Sequence, residues 1–190
     1  MSAFQDLVEQ RSSCRRYNPD KPVSPELINQ CLEAARLAPS ACNKQPWVFG
    51  VVDQRPLLDK LWEKARLPGI KHLWLKDAPV ILVLCVRLDT LTHRLAPALS
   101  GIPYYLIDAG IAGEHVTLAA AEAGLGTCWI GWFKTRMARK ILGLPRSLKP
   151  VSLIAMGYPA EGWTPPVKNR LSMQEMSFHN RWGDRGSTHA

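Results

Sequence analysis

The sequence predicts an α/β or α+β sandwich, on three observations. About four apolar runs of strand length alternate with segments of helical period. The clearest run, residues 78–86, is apolar throughout and rich in Val, Leu and Ile, the pattern of a strand covered on both faces. The chain has 190 residues, 46% of them hydrophobic, enough for one domain with a sizeable core. That domain is expected to span 1–182, with 183–190 a disordered tail. No internal repeat divides it.

Taken in order, the chain begins with a short helix over Ala3–Gln10 that feeds the basic stretch VEQRSSCRRY, residues 8–17. NPDKPV, residues 18–23, is a turn, because two prolines and an Asn-Pro step exclude helix. Ser24 is a good N-cap, Pro25 fits the first helical position and Glu26 the first turn. The helix runs through Leu27, Ile28, Cys31, Leu32 and Ala35 and stops before Pro39. PSACNKQPW, residues 39–47, is a loop, and Trp47–Val52 reads as a buried strand. Residues 55–66 are expected to be helical, and 67–76 have no clear assignment. Residues 87–103 contain Pro97, Gly101 and Pro103 and fit a mobile lid, a substrate loop or a plain linker. Residues 104–123 form a long helix of roughly 30 Å at 1.5 Å per residue. Its small residues, Ala109, Gly110, Ala112, Gly113 and 119–121, suit close packing in the core or across a subunit interface. Glu114 and His115 sit in its middle and receive no catalytic role.

Gly124 fits the position just past that helix, and an apolar strand with Trp129 and Trp132 follows. GLGTCWIG is not a dinucleotide fingerprint. Trp129 stands where the last glycine is needed, and the segment runs from helix to strand. Thr135–Leu142 is a basic helix, 151–158 a last buried strand, and the tail 167–182 carries Lys168 and Arg170 before an irregular amphipathic stretch.

Net charge is +8 and the pI about 9.5, which favours anionic partners. The positive charges are spread along the chain with no Lys/Arg-rich arm, which weakens a nucleic-acid reading. The five cysteines are widely spaced and form no CxxC, so reduced thiols are expected rather than disulfides or zinc. The histidines make no HxxxH pair. Asp6 and Glu9 stand where a signal peptide would be apolar, and the longest apolar run, 78–86, is too short for a bilayer span of about 20 residues. A soluble cytoplasmic protein is expected.

Two stretches carry chemistry in their residue types. Arg11, Ser12, Ser13, Arg15 and Arg16 form a donor set suited to a phosphate, since the arginine fork grips two oxygens at once. Ser40, Asn43 and Gln45 can donate and accept, as a heterocycle edge requires. Together with AAxxxGLGTxWIG (with an extra Ala) at 119–131 and GYPAE at 157–161, the motifs RxSxRxY at 11–17 and PSAxNxQPW at 39–47 resemble, in order and spacing, the nitroreductase family of FMN-dependent flavoproteins. The resemblance covers residues 5 to 172 or so.

That resemblance implies an α+β fold with a central, mostly antiparallel sheet flanked by helices, and a homodimer with two FMN sites at the interface. It implies that Arg11, Ser13 and Arg15, with Ser12 adjacent, hold the FMN phosphate. It implies that Pro39, Ser40 and Ala41, with Asn43 and Gln45 close by, reach the flavin from the other subunit. Trp129, Ile130 and Gly131 would run along the isoalloxazine, and Lys168 and Arg170 would return to the phosphate. The implied activity is an NAD(P)H-dependent FMN oxidoreductase that reduces nitroaromatic or quinone-like acceptors by ping-pong transfer through flavin N5, with no catalytic side chain and no metal required. Related members reduce free flavin or remove halogen, and a flavin carrier or sensor without turnover is the alternative outside enzymes. One departure is clear: longer members place a Pro-x-Glu-Gly segment at flavin N5, and 129–132 here contain no acidic residue. Cys42, inside the loop, is expected to be a small packed residue.

Overall fold

Four strands build one sheet in the computed structural model, which describes residues 2–69, 73–88 and 101–183. Most of the candidate lid at 87–103, and all but the first residue of the expected tail at 183–190, lie outside the described residues. The strands are β1 (Trp47–Val52), β2 (Val80–Arg87), β3 (Gly126–Ile130) and β4 (Leu148–Gly157), in the order β1-β2-β4-β3. Every neighbouring pair is antiparallel, with Phe49 opposite Leu84, Leu82 opposite Ile154 and Cys128 opposite Ala155. The β2–β4 register shifts at Leu84/Cys85, where Pro150, which cannot donate to the ladder, enters opposite Cys85.

The fold is α+β. Helices cover both faces of the sheet, and β2 shows why its sequence is apolar throughout. Ile81, Val83 and Cys85 pack on the layer of α3 (Arg55–Lys60) and α5 (Thr135–Leu142). Val80 and Leu82 pack on the opposite layer, formed by α2 (Pro25–Arg36) and α4 (Tyr104–Glu122). The remaining helices are α1 (Ala3–Gln10) and a four-residue α6 (Met173–Met176) in the tail.

Local sequence explains the helix ends. Ser24 caps α2 by accepting the Leu27 N–H at 3.3 Å, with Pro25 in the first turn. Ser2 and Gln5 form a reciprocal capping box on α1. Gly124, at φ +73°, turns the chain out of α4 while the Leu125 N–H donates to the Ala120 carbonyl at 2.8 Å. The expected helix at 55–66 continues α3 as a π turn over Leu61–Ala65. Its end is tied down from outside, since the Lys134 N–H donates to the Ala65 carbonyl and Arg66 pairs with Phe133.

One element differs from its expected environment. Trp47–Val52 was expected to be a buried strand, and it is the edge strand β1, half-buried over most of its length with Val51 exposed. An apolar run of six residues looks the same in sequence at an edge and at a centre.

Helix α4 buries a stripe of Asp108, Ala112, Val116 and Ala120, one residue every fourth position. Beside that stripe, Gly113 admits the ring of Trp129: a Cβ there would lie 2.2 Å from its Cη2 and 2.5 Å from its Cζ2. Gly113→Ala is therefore expected to destabilise the fold by about 1–3 kcal/mol, the usual cost of overpacking. In urea unfolding, the Gly113→Ala/Trp129→Phe double variant should lose less than the sum of the two single changes, because the clashing ring atoms are gone. Strict additivity would show that the two do not meet.

Candidate functional site

The basic stretch is held as an extended strip along β3 and the end of β4. Ser13 pairs with Thr127 in parallel, and the Cys14 N–H donates to the Thr127 carbonyl at 2.8 Å. Further on, Tyr17 pairs with Pro159, the Asn18 N–H donates to Tyr158 at 2.9 Å, and the Ala160 N–H donates to Arg16 at 2.9 Å. Cys14 and Tyr17 face inward and are buried, and the Tyr17 hydroxyl donates to the Cys14 carbonyl at 2.9 Å. Between them Arg15 and Arg16 are both exposed.

Of the four predicted phosphate cations, Arg11 and Lys168 lie within electrostatic reach of one another, with Arg170 two residues further along the tail. Arg11 Nε lies 3.4 Å from Glu114 Oε1, with its side chain only 20% exposed. Glu114 is itself held, its Oε2 accepting the Thr117 hydroxyl at 2.8 Å. Lys168 donates to the Val8 carbonyl at 2.8 Å and to the Glu9 carbonyl, so its ammonium also caps the C-terminal end of α1. Lost hydration lowers the Lys168 pKa, and the positive charges of Arg11 and Arg170 lower it further. The carboxylates of Glu9 and Glu114 act in the opposite sense. Ser12 is buried, and its hydroxyl has no hydrogen-bond partner among the described residues. A phosphate would supply the acceptor that this hydroxyl lacks, so these residues fit such a group. The charge of Arg15 and hydrogen bonds from Ser13 and Arg15 lower the Cys128 pKa, against burial, which is the larger effect and pushes it up.

The loop at 39–45 has an unusual backbone. Cys42, Asn43 and Gln45 all have φ between +44° and +52°, left-handed values that non-glycine residues seldom adopt. The Ser40 hydroxyl accepts the Gln45 N–H at 2.9 Å, and the Gln45 amide donates to the Asn43 carbonyl and side chain at 3.2 and 3.0 Å. Ala41 donates its N–H to Asp108 Oδ1 at 2.9 Å. Pro39, Asn43 and Gln45 are exposed, and Ser40 and Ala41 half-buried. Cys42, expected to be packed, is exposed, as are its neighbours Asn43, Lys44 and Gln45.

At the end of β3, Ile130 is buried and Gly131 exposed. The two tryptophans divide: Trp129 is committed to packing on α4 at Gly113, and Trp132 is 69% exposed. Asp108 and Glu114 are the site residues that sequence reasoning missed. Asp108 carried a visible signal, an acid on the every-fourth-residue stripe of α4; Glu114 carried none, since its partner Arg11 is distant in sequence.

The family model of the nitroreductase family matches residues 8–72 and 65–158. A protein of Methanothermobacter thermautotrophicus, provisionally named NADH dehydrogenase/NAD(P)H nitroreductase, is 34% identical over 161 residues, covering 82% of this chain and 77% of its own. The crystal structure of a nitroreductase family protein from Clostridium difficile 630 superposes with a TM-score of 0.80 at 28% identity, over 95% of this chain and 99% of the other. An FMN-dependent nitroreductase from Clostridium difficile R20291 superposes with a TM-score of 0.75 at 26% identity, over 93% and 98% of the two chains. Among the described residues no helix is long and apolar enough to cross a membrane.

The cysteines give a direct test of the loop geometry. Cys14, Cys31, Cys85 and Cys128 are buried, and burial pushes their thiols up, to about 11 for Cys31 and Cys85. At pH 8 their thiolates are scarce as well as shielded. Ellman's reagent should therefore find one fast thiol in the native protein and all five after denaturation, and Cys42→Ser should remove the fast one. A fast thiol that survives in Cys42→Ser would contradict the loop as described.

Proposed function

The chain belongs to the nitroreductase family, and from that premise we propose that it is an FMN-dependent enzyme that uses NAD(P)H to reduce nitroaromatic, quinone or related acceptors. The observation that carries this reading is the buried, unpartnered hydroxyl of Ser12 next to Arg11, whose positive charge also reaches Lys168. Arg11, Ser12, Ser13, Arg15, Lys168 and Arg170 would hold the FMN phosphate. Pro39, Ser40, Ala41, Asn43 and Gln45 would meet the ring system of the partner subunit's cofactor. Trp129, Ile130 and Gly131 would flank the ring on the subunit that binds the phosphate, with Trp129 contributing backbone because its indole is packed on α4.

FMN, when bound, supplies the hydride-accepting centre at N5. The protein's own residues bind and orient. The cations offset the phosphate charge, and the loop amides offer both donors and acceptors to a heterocycle edge. Exposed Trp132 and buried Ile130 would offer a bound ring an apolar surface at the end of β3. With no acidic residue in 129–132, a donor to N5 falls to backbone N–H groups at Gly131 and Trp132, both exposed. Two copies complete the site in this reading. The exposed apolar residues Leu106 and Ile107 on α4 and Leu171, Met173, Met176 and Phe178 in the tail are the surface that a second copy would cover.

The test is the absorbance spectrum of the purified protein before and after anaerobic addition of NADPH or NADH. Flavin bands that bleach are expected. Bands that persist with both nucleotides would indicate a carrier or sensor, and a protein that takes up no FMN would overturn the reading. Arg11→Ala/Lys168→Ala should weaken FMN binding roughly a hundredfold or more, since a charge-assisted hydrogen bond contributes about 1.5–3 kcal/mol and each 1.4 kcal/mol is tenfold. Unchanged FMN content in that variant would contradict the phosphate assignment.

A further inference from the structure

Asp108 is an acid in an apolar stretch of α4, 2% exposed. Its Oδ1 accepts the Ala41 N–H at 2.9 Å, and its Oδ2 is buried with no hydrogen-bond partner among the described residues. A buried carboxylate with one oxygen unpaired is costly, so the contact it makes needs an explanation. That contact is with the loop whose backbone is the most strained in the described chain outside glycines. Left-handed conformations at Cys42, Asn43 and Gln45 persist only where the surroundings over-determine them. The Ser40–Gln45 and Asn43–Gln45 hydrogen bonds run within the loop. The Asp108–Ala41 bond instead ties the loop to α4, across 67 positions of sequence.

We propose that Asp108 is a positioning residue for the cofactor loop: through the Ala41 N–H it holds residues 39–45 in the shape that meets the flavin. This rests on the reading above that the loop meets FMN.

Three variants separate the hydrogen bond from the fold. Asp108→Ala removes the acceptor. Asp108→Asn keeps an acceptor oxygen and removes the charge. Ala41→Pro removes only the donor, at a place where proline fits: Ser40 is extended at ψ 157°, as a residue before proline must be, and Ala41 opens a turn. The readouts are the FMN dissociation constant, from quenching of flavin fluorescence, and the labelling rate of Cys42 by Ellman's reagent in the apoprotein. Asp108→Ala and Ala41→Pro should each weaken FMN binding tenfold or more and speed Cys42 labelling. The Asp108→Ala/Ala41→Pro double variant should be no worse than either single one, and Asp108→Asn should bind FMN within threefold of the parent. Wild-type binding and labelling in Asp108→Ala, additive losses in the double variant, or an Asn variant as weak as the Ala variant would each overturn the proposal. If Asp108→Ala does not fold, Ala41→Pro alone decides. If the parent protein binds no FMN, the functional reading fails, while the labelling rates still report whether Asp108 holds the loop.

Discussion

The backbone hydrogen bond from the Cys14 N–H to the Thr127 carbonyl is the contact on which the site depends. It sets the register of residues 11–17 against β3, and in an extended strip register decides which side chains face in. With Cys14 and Tyr17 inward, the strip is anchored in the core and Arg15 is turned out. A slip of one residue would bury Arg15 and expose Tyr17. The cost of burying an unpaired guanidinium makes the observed register strongly preferred.

Helix α4 organises the rest. Its buried stripe packs on the sheet, Asp108 holds the loop at 39–45, and Glu114 engages Arg11. The two acids are six positions apart, about 9 Å along the axis at 1.5 Å per residue. One rigid element thus carries a contact to each of the two components, which the functional reading assigns to the two different cofactor sites of a dimer. Glu114 meets the Nε side of the Arg11 guanidinium, which leaves the terminal nitrogens for an anion. Small residues on the same helix, Gly113 above all, let the neighbouring strand approach closely enough for Trp129 to pack.

Much of this was legible in the sequence. The apolar run at 78–86 announced a strand covered on both faces, and Ser24-Pro25 marked the start of α2. Gly124 marked the end of α4. The cluster of arginines and serines showed its donor chemistry in its composition. What stayed hidden depends on pairings distant in sequence or on backbone conformation. β1 lies at an edge because, among the described residues, no strand pairs with the side of it that faces away from β2. Cys42 is exposed with the rest of 42–45 and has a positive φ, neither of which any property of cysteine signals. Lys168 doubles as a cap on α1 from 160 positions away, and Arg11 and Glu114 meet only once α4 has packed.

The central claim is that one cofactor site is assembled from the phosphate cluster of one subunit and the 39–45 loop of the other. The most direct measurement is the FMN content of mixed dimers made from two defective chains, Arg11→Ala/Lys168→Ala and Asp108→Ala/Ser40→Ala, refolded together and separated by affinity tags. Each defective homodimer should carry little FMN. The mixed dimer should carry about one FMN per dimer, because one of its two sites then has both components intact. A mixed dimer as empty as its parents would contradict the shared site and return the whole of it to a single chain.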